Sequence, residues 1–207
     1  MLRLDKWLAE MTEGSRAEVK KWIRQGRVYV NETKVQRPET KLDPGRDQVT
    51  LDGEQIIYEQ FCYYMLNKPA GVVSATTDRE HKTVIDLLQE ANTQDVFPVG
   101  RLDIDTEGLL LLTNDGALAH ELLSPRKHVD KTYFVRIAGN LSDADVKQLE
   151  QGMDIGDEKL TLPAKVSCLE QFPEEQEQTV MIKLREGRYH QVKRMFAKVG
   201  HPVLYLQ

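Results

Sequence analysis

Cysteine is nearly absent from this chain of 207 residues, which has only Cys62 and Cys168, far apart from each other. Two distant cysteines exclude a disulfide framework and a four-cysteine zinc pattern, so we interpret both as reduced thiols. The five histidines lack metal-binding spacings such as His-Glu-x-x-His. The sequence therefore predicts no metal site.

Long apolar runs are also absent. No stretch approaches the roughly 18 apolar residues that identify a membrane-spanning helix, and residues 1–6 lack the apolar segment of a signal peptide. Hydrophobic residues nevertheless make up 40% of the chain, which is enough to build a core. The composition predicts a soluble, cytoplasmic protein with one large or two small domains.

An overall excess of positive charge is missing as well, because the net charge is −5. That value alone disfavours nucleic acid as a partner. The charge is unevenly distributed, however: residues 1–34 carry a net charge of +3, and residues 35–207 carry −8. A basic region at one end of an acidic chain indicates a local surface for a polyanion.

Residues 1–59 have the pattern of a small module with two helices followed by short strands. Apolar residues at helical spacing predict a helix over 4–11, and Ser15 with Glu18 predicts a capping box that begins a second helix. Gly26 is suited to end that helix. Short β-like pieces follow at 27–30, 35 and 49–51.

The second predicted helix and the residue after it carry five basic side chains between Arg16 and Arg27, with Glu18 as the single acid. Such a charge run is usually only a solvated helix face. Because basic residues outnumber acidic residues five to one here, we favour a helix face that contacts phosphates. Two basic residues at the start of the chain are added to this face, so the predicted RNA contacts of this module are Arg3, Lys6, Arg16, Lys20, Arg24 and Arg27.

Residues 60–207 alternate between predicted strands and predicted helices. The strands are expected at 61–66, 108–112, 131–137, 166–169 and 179–184. The helices are expected at 84–88, 117–123, 142–151 and 190–199. This mixture predicts an α+β domain with a mainly antiparallel mixed sheet flanked by helices.

Three clusters of polar residues in this second region could carry chemistry. The first, residues 99–108, places an arginine and three acids between two glycines, just before an apolar strand. Loops positioned by a rigid strand often hold functional residues. A surface salt bridge would explain this loop equally well if it stood alone.

The other two clusters are residues 131–133 and 186–196. A strand tyrosine such as Tyr133 is, taken alone, ordinary core packing. The third cluster opens a helix whose apolar face is already assigned to the core, so Arg188, Lys193 and Arg194 are expected to point away from it. Taken alone, that cluster could be a second patch that contacts RNA.

Two resemblances account for these patterns together. Residues 3–8, 15–16 and 23–31 resemble the S4 RNA-binding domain in identity and order. The three clusters, which include Gly100-Arg101-Leu102-Asp103 and Gly187-Arg188-Tyr189-His190-Gln191-Val192-Lys193-Arg194, resemble the RsuA-type pseudouridine synthases of bacterial ribosomal RNA. Segments 64–69 and 123–126 match that family too, so the resemblance spans almost the whole chain.

The resemblance implies an S4-like RNA-binding domain at 1–59 and a pseudouridine synthase catalytic domain at 60–207. Members of the family usually continue for a further strand and tail beyond the position of Gln207. We therefore expect the catalytic domain of this chain to be short at its C-terminal end.

The resemblance also implies roles for individual residues. Asp103 falls on the catalytic aspartate, with Asp105 as an accessory residue and Lys193 as the basic partner of the aspartate. Tyr133 is expected to stack on the target base and to take the proton from its C5. Arg101 is expected to occupy the space that the flipped-out uridine leaves. Further RNA contacts are expected from Arg188 and Arg194.

The implied reaction converts a uridine of structured RNA to pseudouridine, without redox change or group transfer, so no cofactor is expected. The amino-acid sequences of residues 123–133 and 187–194 most resemble the small-subunit branch of the family. That resemblance implies uridine 516 of 16S rRNA as the target. The implied partner is ribosomal RNA or the assembling subunit, bound by a monomer.

Three alternatives stay open at this point. A large-subunit (23S) rRNA enzyme would share the same motifs. A non-catalytic S4-domain protein of RNA binding or ribosome assembly would explain the basic face, but it leaves Asp103, Tyr133 and Lys193 without a joint purpose. A nucleoside hydrolase could use Asp103 and Asp105 as a carboxylate pair, because residues two apart on an extended strand face the same side.

Overall fold

The computed structural model describes residues 1–12, 14–88, 95–124, 127 and 129–207. Part of the predicted break between the first two helices, Glu13, lies outside these described residues. Pro125 and Arg126 of the matching segment 123–126 also lie outside them, as does His128 between that segment and the second cluster. By their contacts, the described residues of 1–62 and 87–96 form one unit, and those of 63–86 and 97–207 form another.

The first unit contains two helices and six short strands. Its helices are α1 (Leu4–Met11) and α2 (Arg16–Arg24). Its strands are β1 (Leu2–Arg3), β2 (Val28–Val30), β3 (Thr33–Lys34), β4 (Lys41–Leu42), β5 (Val49–Leu51) and β6 (Glu54–Ile56). Strands β3, β2, β5 and β6 form one antiparallel sheet in that order, and β1 pairs with β4. Both helices bury apolar faces in a core around Trp7.

The start of α2 confirms the predicted capping box. The Ser15 side chain accepts a hydrogen bond from the backbone N–H of Glu18, and the Glu18 carboxylate accepts one from the backbone N–H of Ser15. These two bonds satisfy backbone donors that a helix N-terminus leaves without partners. At the other end, the chain passes through Gly26 with a positive φ of 72°, the expected conformation after a helix.

The second unit has the mixed architecture that the sequence predicts. Its helices are α3 (Gly116–Leu123), α4 (Asp143–Gln151) and α5 (Gln191–Lys198). Its strands are β7 (Tyr63–Lys68), β8 (Phe97–Pro98), β9 (Gly108–Thr113), β10 (Lys131–Ala138), β11 (Lys165–Phe172), β12 (Glu177–Leu184) and β13 (Val203–Leu206). A single 3-10 turn at Ile85–Leu87 stands where a short helix was predicted.

Two antiparallel sheets meet near the predicted site. One has the order β7-β9-β8 and the other the order β11-β12-β10-β13. The backbone N–H of Glu107, just before β9, donates to the carbonyl of Leu206 in β13 at 3.1 Å. The α+β class is confirmed, and the first cluster lies where the two sheets approach each other.

The strand pattern of the second unit departs from the prediction most clearly at three strands. Strand β7 continues two residues beyond its expected end at Leu66, and its last residue, Lys68, pairs with Gly108 of β9. The two-residue strand β8 is too short to show periodicity. Strand β13 follows α5 directly and pairs with β10. In the described part of the chain, no helix combines the length and apolar character needed to cross a membrane.

Helix α4 ends where two segments of the second unit approach closely, and this predicts a strict requirement for glycine at 152. Gly152 has φ 85° and ψ 140°, and a Cβ there would lie 2.3 Å from the backbone oxygen of Thr161. Gly152→Ala should lower the free energy of unfolding by about 1–3 kcal/mol through this overlap, measured by urea denaturation.

Gly200→Ala is the matched control. Gly200 also has a positive φ, 86°, but a Cβ there would meet no atom within 4 Å. The control should therefore lose only the backbone preference for glycine. Equal destabilisation by the two substitutions would contradict the predicted overlap with Thr161.

Candidate active site

The loop of the first cluster is fixed in place by neighbouring backbone and hydroxyl groups. The Ser74 hydroxyl donates to the carbonyl of Leu102 at 2.8 Å and accepts from its N–H at 3.1 Å. The N–H of Gly71 donates to the carbonyl of Ile104 at 2.7 Å. Within the loop, the N–H of Thr106 donates to the carbonyl of Asp103 at 3.1 Å. The carboxyl groups on this loop therefore project from a rigid support.

A buried cation lies beneath the same loop. The Lys68 ammonium donates to the carbonyls of Thr106 at 2.7 Å, Pro69 at 3.0 Å and Ile104 at 3.4 Å. Burial lowers the pKa of Lys68, while the negative charges of nearby carboxylates oppose that shift. The sequence placed this lysine in a family motif without a role, and the structure makes it a clamp for the loop.

Asp103 projects from this loop toward the start of α5. Its side chain is 24% exposed, and Lys193 Nζ lies 3.4 Å from its Oδ2. His190 Nε2 lies 3.4 Å from its Oδ1. Two side chains of the third cluster therefore flank the predicted catalytic carboxylate, one on each oxygen.

Asp105 shares the same lysine but lies in a more open position. Its side chain is 67% exposed, and its Oδ1 accepts a hydrogen bond from Lys193 Nζ at 2.5 Å. This hydrogen bond and the charge of Lys193 lower the pKa of Asp105, against the opposing effect of burial. Burial alone would lower the pKa of Lys193, but its carboxylate partners outweigh burial and raise it.

Tyr133 reaches the same region from β10. Its side chain is partly buried, and burial together with the negative charge of Asp103 raises the pKa of its phenol. The phenol is therefore neutral at physiological pH. The fold brings Asp103, Tyr133 and Lys193 together from a loop, a strand and a helix that are far apart in sequence.

The comparisons with known proteins agree with this geometry. A model of the RNA pseudouridylate synthase family matches residues 62–198, and a model of the S4 domain matches residues 2–47. The chain belongs to the RNA pseudouridylate synthase family. It combines an S4 domain with a pseudouridine synthase domain of the RsuA type, and the enzyme is an isomerase.

Several relatives cover the whole chain. The uncharacterized RNA pseudouridine synthase YtzG of Bacillus subtilis is 44% identical over 100% of this chain and 86% of its own length. The ribosomal small subunit pseudouridine synthase A of Escherichia coli strain K12 is 42% identical over 99% of this chain and 87% of its own. The ribosomal large subunit pseudouridine synthase B of Bacillus subtilis is 37% identical over 100% and 84%.

A solved structure supports the same assignment. The crystal structure of a pseudouridylate synthase, 34% identical in sequence, superposes with a TM-score of 0.62 over 100% of this chain and 86% of the other. The predicted family and fold are thereby confirmed for the synthase.

The remaining bases of the catalytic region differ in their surroundings. Arg101 is exposed. Arg188 donates to the carbonyls of Lys159 at 2.6 Å and Leu160 at 2.7 Å and forms an ion pair with Glu186 at 3.0 Å. Arg188 therefore holds a loop of its own domain, and its expected contact with RNA stays a prediction.

Arg194 is engaged in a similar way. Its guanidinium donates to the carbonyls of Ile155 and Tyr189, the second at 3.0 Å, and pairs with Asp157 at 2.6 Å. Arg194 lies on α5 and Arg188 just before it; both are partly buried, and nearby acceptors occupy their donors. The RNA contact expected of Arg194 also stays a prediction.

The predicted RNA contacts of the S4 domain fall into two groups. Arg16 and Arg24 are exposed on α2, and Lys20 between them is partly buried. The others have acidic neighbours: Arg3 pairs with Asp5 at 2.8 Å, Lys6 approaches Glu10 at 3.5 Å, and Arg27 pairs with Asp52 and lies over the ring of Trp22.

Sequence reasoning missed His190 as part of the site. The sequence did contain a signal: His190 and Lys193 lie three apart in the predicted helix, and residues at that spacing face the same side. In the structure, both side chains contact Asp103. Among the described residues, no group of three or more His, Cys, Asp or Glu side chains is arranged to hold a metal ion.

The shared lysine predicts a pH-dependent loss of stability in Lys193→Met. The lowered pKa of Asp105 contributes stability above its unfolded value of 3.8, and this is lost as pH falls through the folded pKa. The raised pKa of Lys193 contributes stability below its unfolded value of 10.5, which is lost as pH rises through the folded pKa.

Lys193→Met should therefore be less stable than the wild type between these two pH values, and the difference should shrink beyond both. Because Asp105 is largely exposed, solvent screening limits the loss to about 1 kcal/mol or less. Urea denaturation across a pH series measures it, with Lys193→Arg as the charge-preserving control. A pH-independent difference would contradict the role of the ion pairs.

Proposed function

We propose that the synthase isomerises one specific uridine of bacterial small-subunit (16S) rRNA to pseudouridine, and that uridine 516 is the target. The observation that carries the chemistry is the enclosed Asp103 carboxylate, with Lys193 and His190 each 3.4 Å from one of its oxygens. The small-subunit substrate rests on the relative from Escherichia coli, which is 42% identical.

The reaction has a closed balance of atoms. The bond between uracil N1 and ribose C1′ breaks, the uracil rotates, and a bond forms between C5 and C1′. The proton on C5 leaves and a proton is added at N1, so substrate and product are isomers. No electron, metal or organic group is consumed, and we propose that the synthase works without a cofactor.

Asp103 is proposed as the group that acts at the sugar or at the base while the two are apart. A carboxylate can attack as a nucleophile or stabilise positive charge on the detached ribose. Either role needs a carboxylate held at a fixed place in the site, and the Lys193 ammonium lies 3.4 Å from its Oδ2. Asp105 has a supporting role in this proposal, because it is largely exposed and holds the lysine.

Tyr133 is proposed to stack on the detached uracil and to accept the proton that C5 loses. Its partial burial beside Asp103 gives the ring a fixed position at the site. Because the raised pKa keeps the phenol neutral in the resting enzyme, the hydroxyl is proposed to give its own proton to N1 of the detached uracil as it accepts the one from C5. Tyr133→Phe separates the two roles, since it retains the ring and removes the hydroxyl.

Access to the uridine requires that the nucleotide leave its helix. Flipping a base out of a stack costs a few kcal/mol, which contacts in the pocket and in the vacated space offset. Arg101 is the proposed residue for the vacated space, since it is exposed and lies two residues from Asp103.

The two domains divide the work in this proposal. Residues 1–59 form the S4 domain, whose basic side chains contact phosphates, and residues 60–207 form the catalytic domain with its further RNA contacts, Arg188 and Arg194. Phosphate contacts supply affinity that falls with salt concentration. We further propose that the synthase acts as a monomer in the cytoplasm, which sedimentation and fractionation of the bacterial host would test.

A large-subunit target is the second candidate, because the relative named for the large subunit is 37% identical over the full chain. Mapping pseudouridine in both rRNAs from cells with and without the synthase decides between them. Loss of a single pseudouridine in 16S rRNA supports the proposal. Loss of one in 23S rRNA transfers the activity to the large subunit.

The catalytic assignment predicts that Asp103→Asn abolishes pseudouridine formation and leaves RNA affinity within about threefold of the wild type. Turnover is measured by tritium release from RNA labelled at uridine C5, and affinity by filter binding. Asp105→Asn is the matched control and should retain most activity, because residue 105 is largely exposed and an asparagine there can still accept a hydrogen bond from Lys193. Measurable turnover by Asp103→Asn would contradict the assignment.

The same assay separates the remaining alternatives. A wild-type chain that binds 16S rRNA but releases no tritium would be a non-catalytic RNA-binding or assembly protein. Release of free uracil, with loss of the base from the RNA, would indicate hydrolysis by Asp103 and Asp105.

A further inference from the structure

An aromatic pair stands at the edge of the site, just before α5. The Tyr189 side chain belongs to the most exposed apolar side chains of the described residues, at 71%. Its ring lies on the imidazole of His190, with the ring centroids 3.8 Å apart and the planes inclined by 19°. One face of the tyrosine ring is thus covered by His190, and the ring as a whole stays open to solvent.

The backbone beneath this pair is held on both sides. Arg194 donates from its side chain to the carbonyl of Tyr189 and from its backbone N–H to the carbonyl of His190, each at 3.0 Å. His190 has a positive φ of 47°. That conformation is uncommon for a residue other than glycine and persists where the surroundings impose it, often at functional sites.

The pair is also tied to the catalytic loop. His190 Nε2 lies 3.4 Å from the Asp103 carboxylate, so one end of the stack contacts the proposed catalytic group. Tyr189 is the solvent-exposed member of the same stack. A planar group lying on Tyr189 would therefore be a close neighbour of the reacting nucleotide.

The chemistry of the pair selects its ligand. An exposed ring whose orientation is already set offers a π-face at little further cost in conformational entropy. Unpaired bases of RNA stack on aromatic side chains, and each such contact contributes about 1–3 kcal/mol. Flipping one nucleotide out of a stack leaves its neighbours without a partner on one face.

We propose that Tyr189 and His190 form a stacking platform for an unpaired nucleobase next to the flipped uridine. This inference rests on the proposed function for the identity of the RNA and for the flipped uridine at Asp103. It assigns Tyr189 to substrate binding. It also gives a structural role to Arg194, which was expected to contact RNA directly and which holds the backbone of Tyr189 and His190.

The first test measures the affinity of Asp103→Asn, which holds the RNA without turnover, for a 16S rRNA fragment that contains the modified uridine. Adding Tyr189→Ala should weaken binding about 5-fold or more, the equivalent of about 1 kcal/mol. Adding Tyr189→Leu should weaken it similarly, because leucine is apolar but has no ring. Tyr189→Phe should restore binding to within twofold.

Leu169→Ala is the matched control, since Leu169 is an exposed apolar residue of strand β11, outside the site. It should leave affinity within twofold. Equal affinity of Tyr189→Ala and its parent would overturn the proposal, and so would wild-type affinity in Tyr189→Leu. Thermal unfolding of each variant confirms that an effect on binding does not come from misfolding.

The second test locates the contact directly. The fragment is made with 5-iodouridine or 5-iodocytidine at the nucleotides that flank the target, and irradiation links such bases to aromatic rings stacked on them. Mass spectrometry of the linked peptide should identify Tyr189 or His190. Linkage only to other residues would overturn the proposal.

The two proposals fail in distinguishable ways. If the wild type forms no pseudouridine in any rRNA, the proposed function fails, while the affinity series still reports on stacking in the RNA that binds. If pseudouridine forms and Tyr189→Ala binds as its parent does, only the platform is wrong.

Discussion

The buried ammonium of Lys68 is the interaction on which the site depends. It lies under the loop after Gly100 and donates to three backbone carbonyls, two of which belong to that loop. A lysine without a carboxylate partner is expensive to bury, and three carbonyl acceptors offset that cost. The position and direction of Asp103 follow from this clamp, together with the two hydrogen bonds between Ser74 and Leu102.

The placement of this loop also decides how its two carboxylates, Asp103 and Asp105, share the positive charge of Lys193. The loop presents two carboxylates to one ammonium, and Lys193 binds the exposed Asp105 more closely than the enclosed Asp103. The enclosed carboxylate thereby keeps a positive neighbour without a short hydrogen bond that would hold it in place. Such a group remains able to approach a reacting atom. The neutral phenol of Tyr133 and the Tyr189–His190 stack then surround it with aromatic faces suited to bases.

The helices and the fold class could be predicted from sequence, because they depend on interactions between residues close in the chain. The spacing of Leu4, Trp7 and Leu8 predicted α1, and Ser15 with Glu18 predicted the start of α2, since caps and amphipathic faces depend on near neighbours. The α+β class followed from the alternation of elements. The hypothesis that Asp103, Tyr133 and Lys193 form one site came from the family resemblance, because no physical rule connects residues so far apart in the sequence. Strand β8 was missed because two residues show no periodicity. The end of β7 was missed because the residue type of Lys68 does not indicate its burial.

The sequence by itself determined the five helices, most of the longer strands, the uneven charge and the three polar clusters, all of which depend on residues close in the chain. Only the tertiary structure decided what each charged side chain contacts. It turned Lys68 inward, gave Arg188 and Arg194 to carbonyls of their own domain, and set His190 against Asp103. Hydrogen bonds and ion pairs act over a few ångströms, so partners that lie tens of residues apart become defined only when the strands and α5 bring them together.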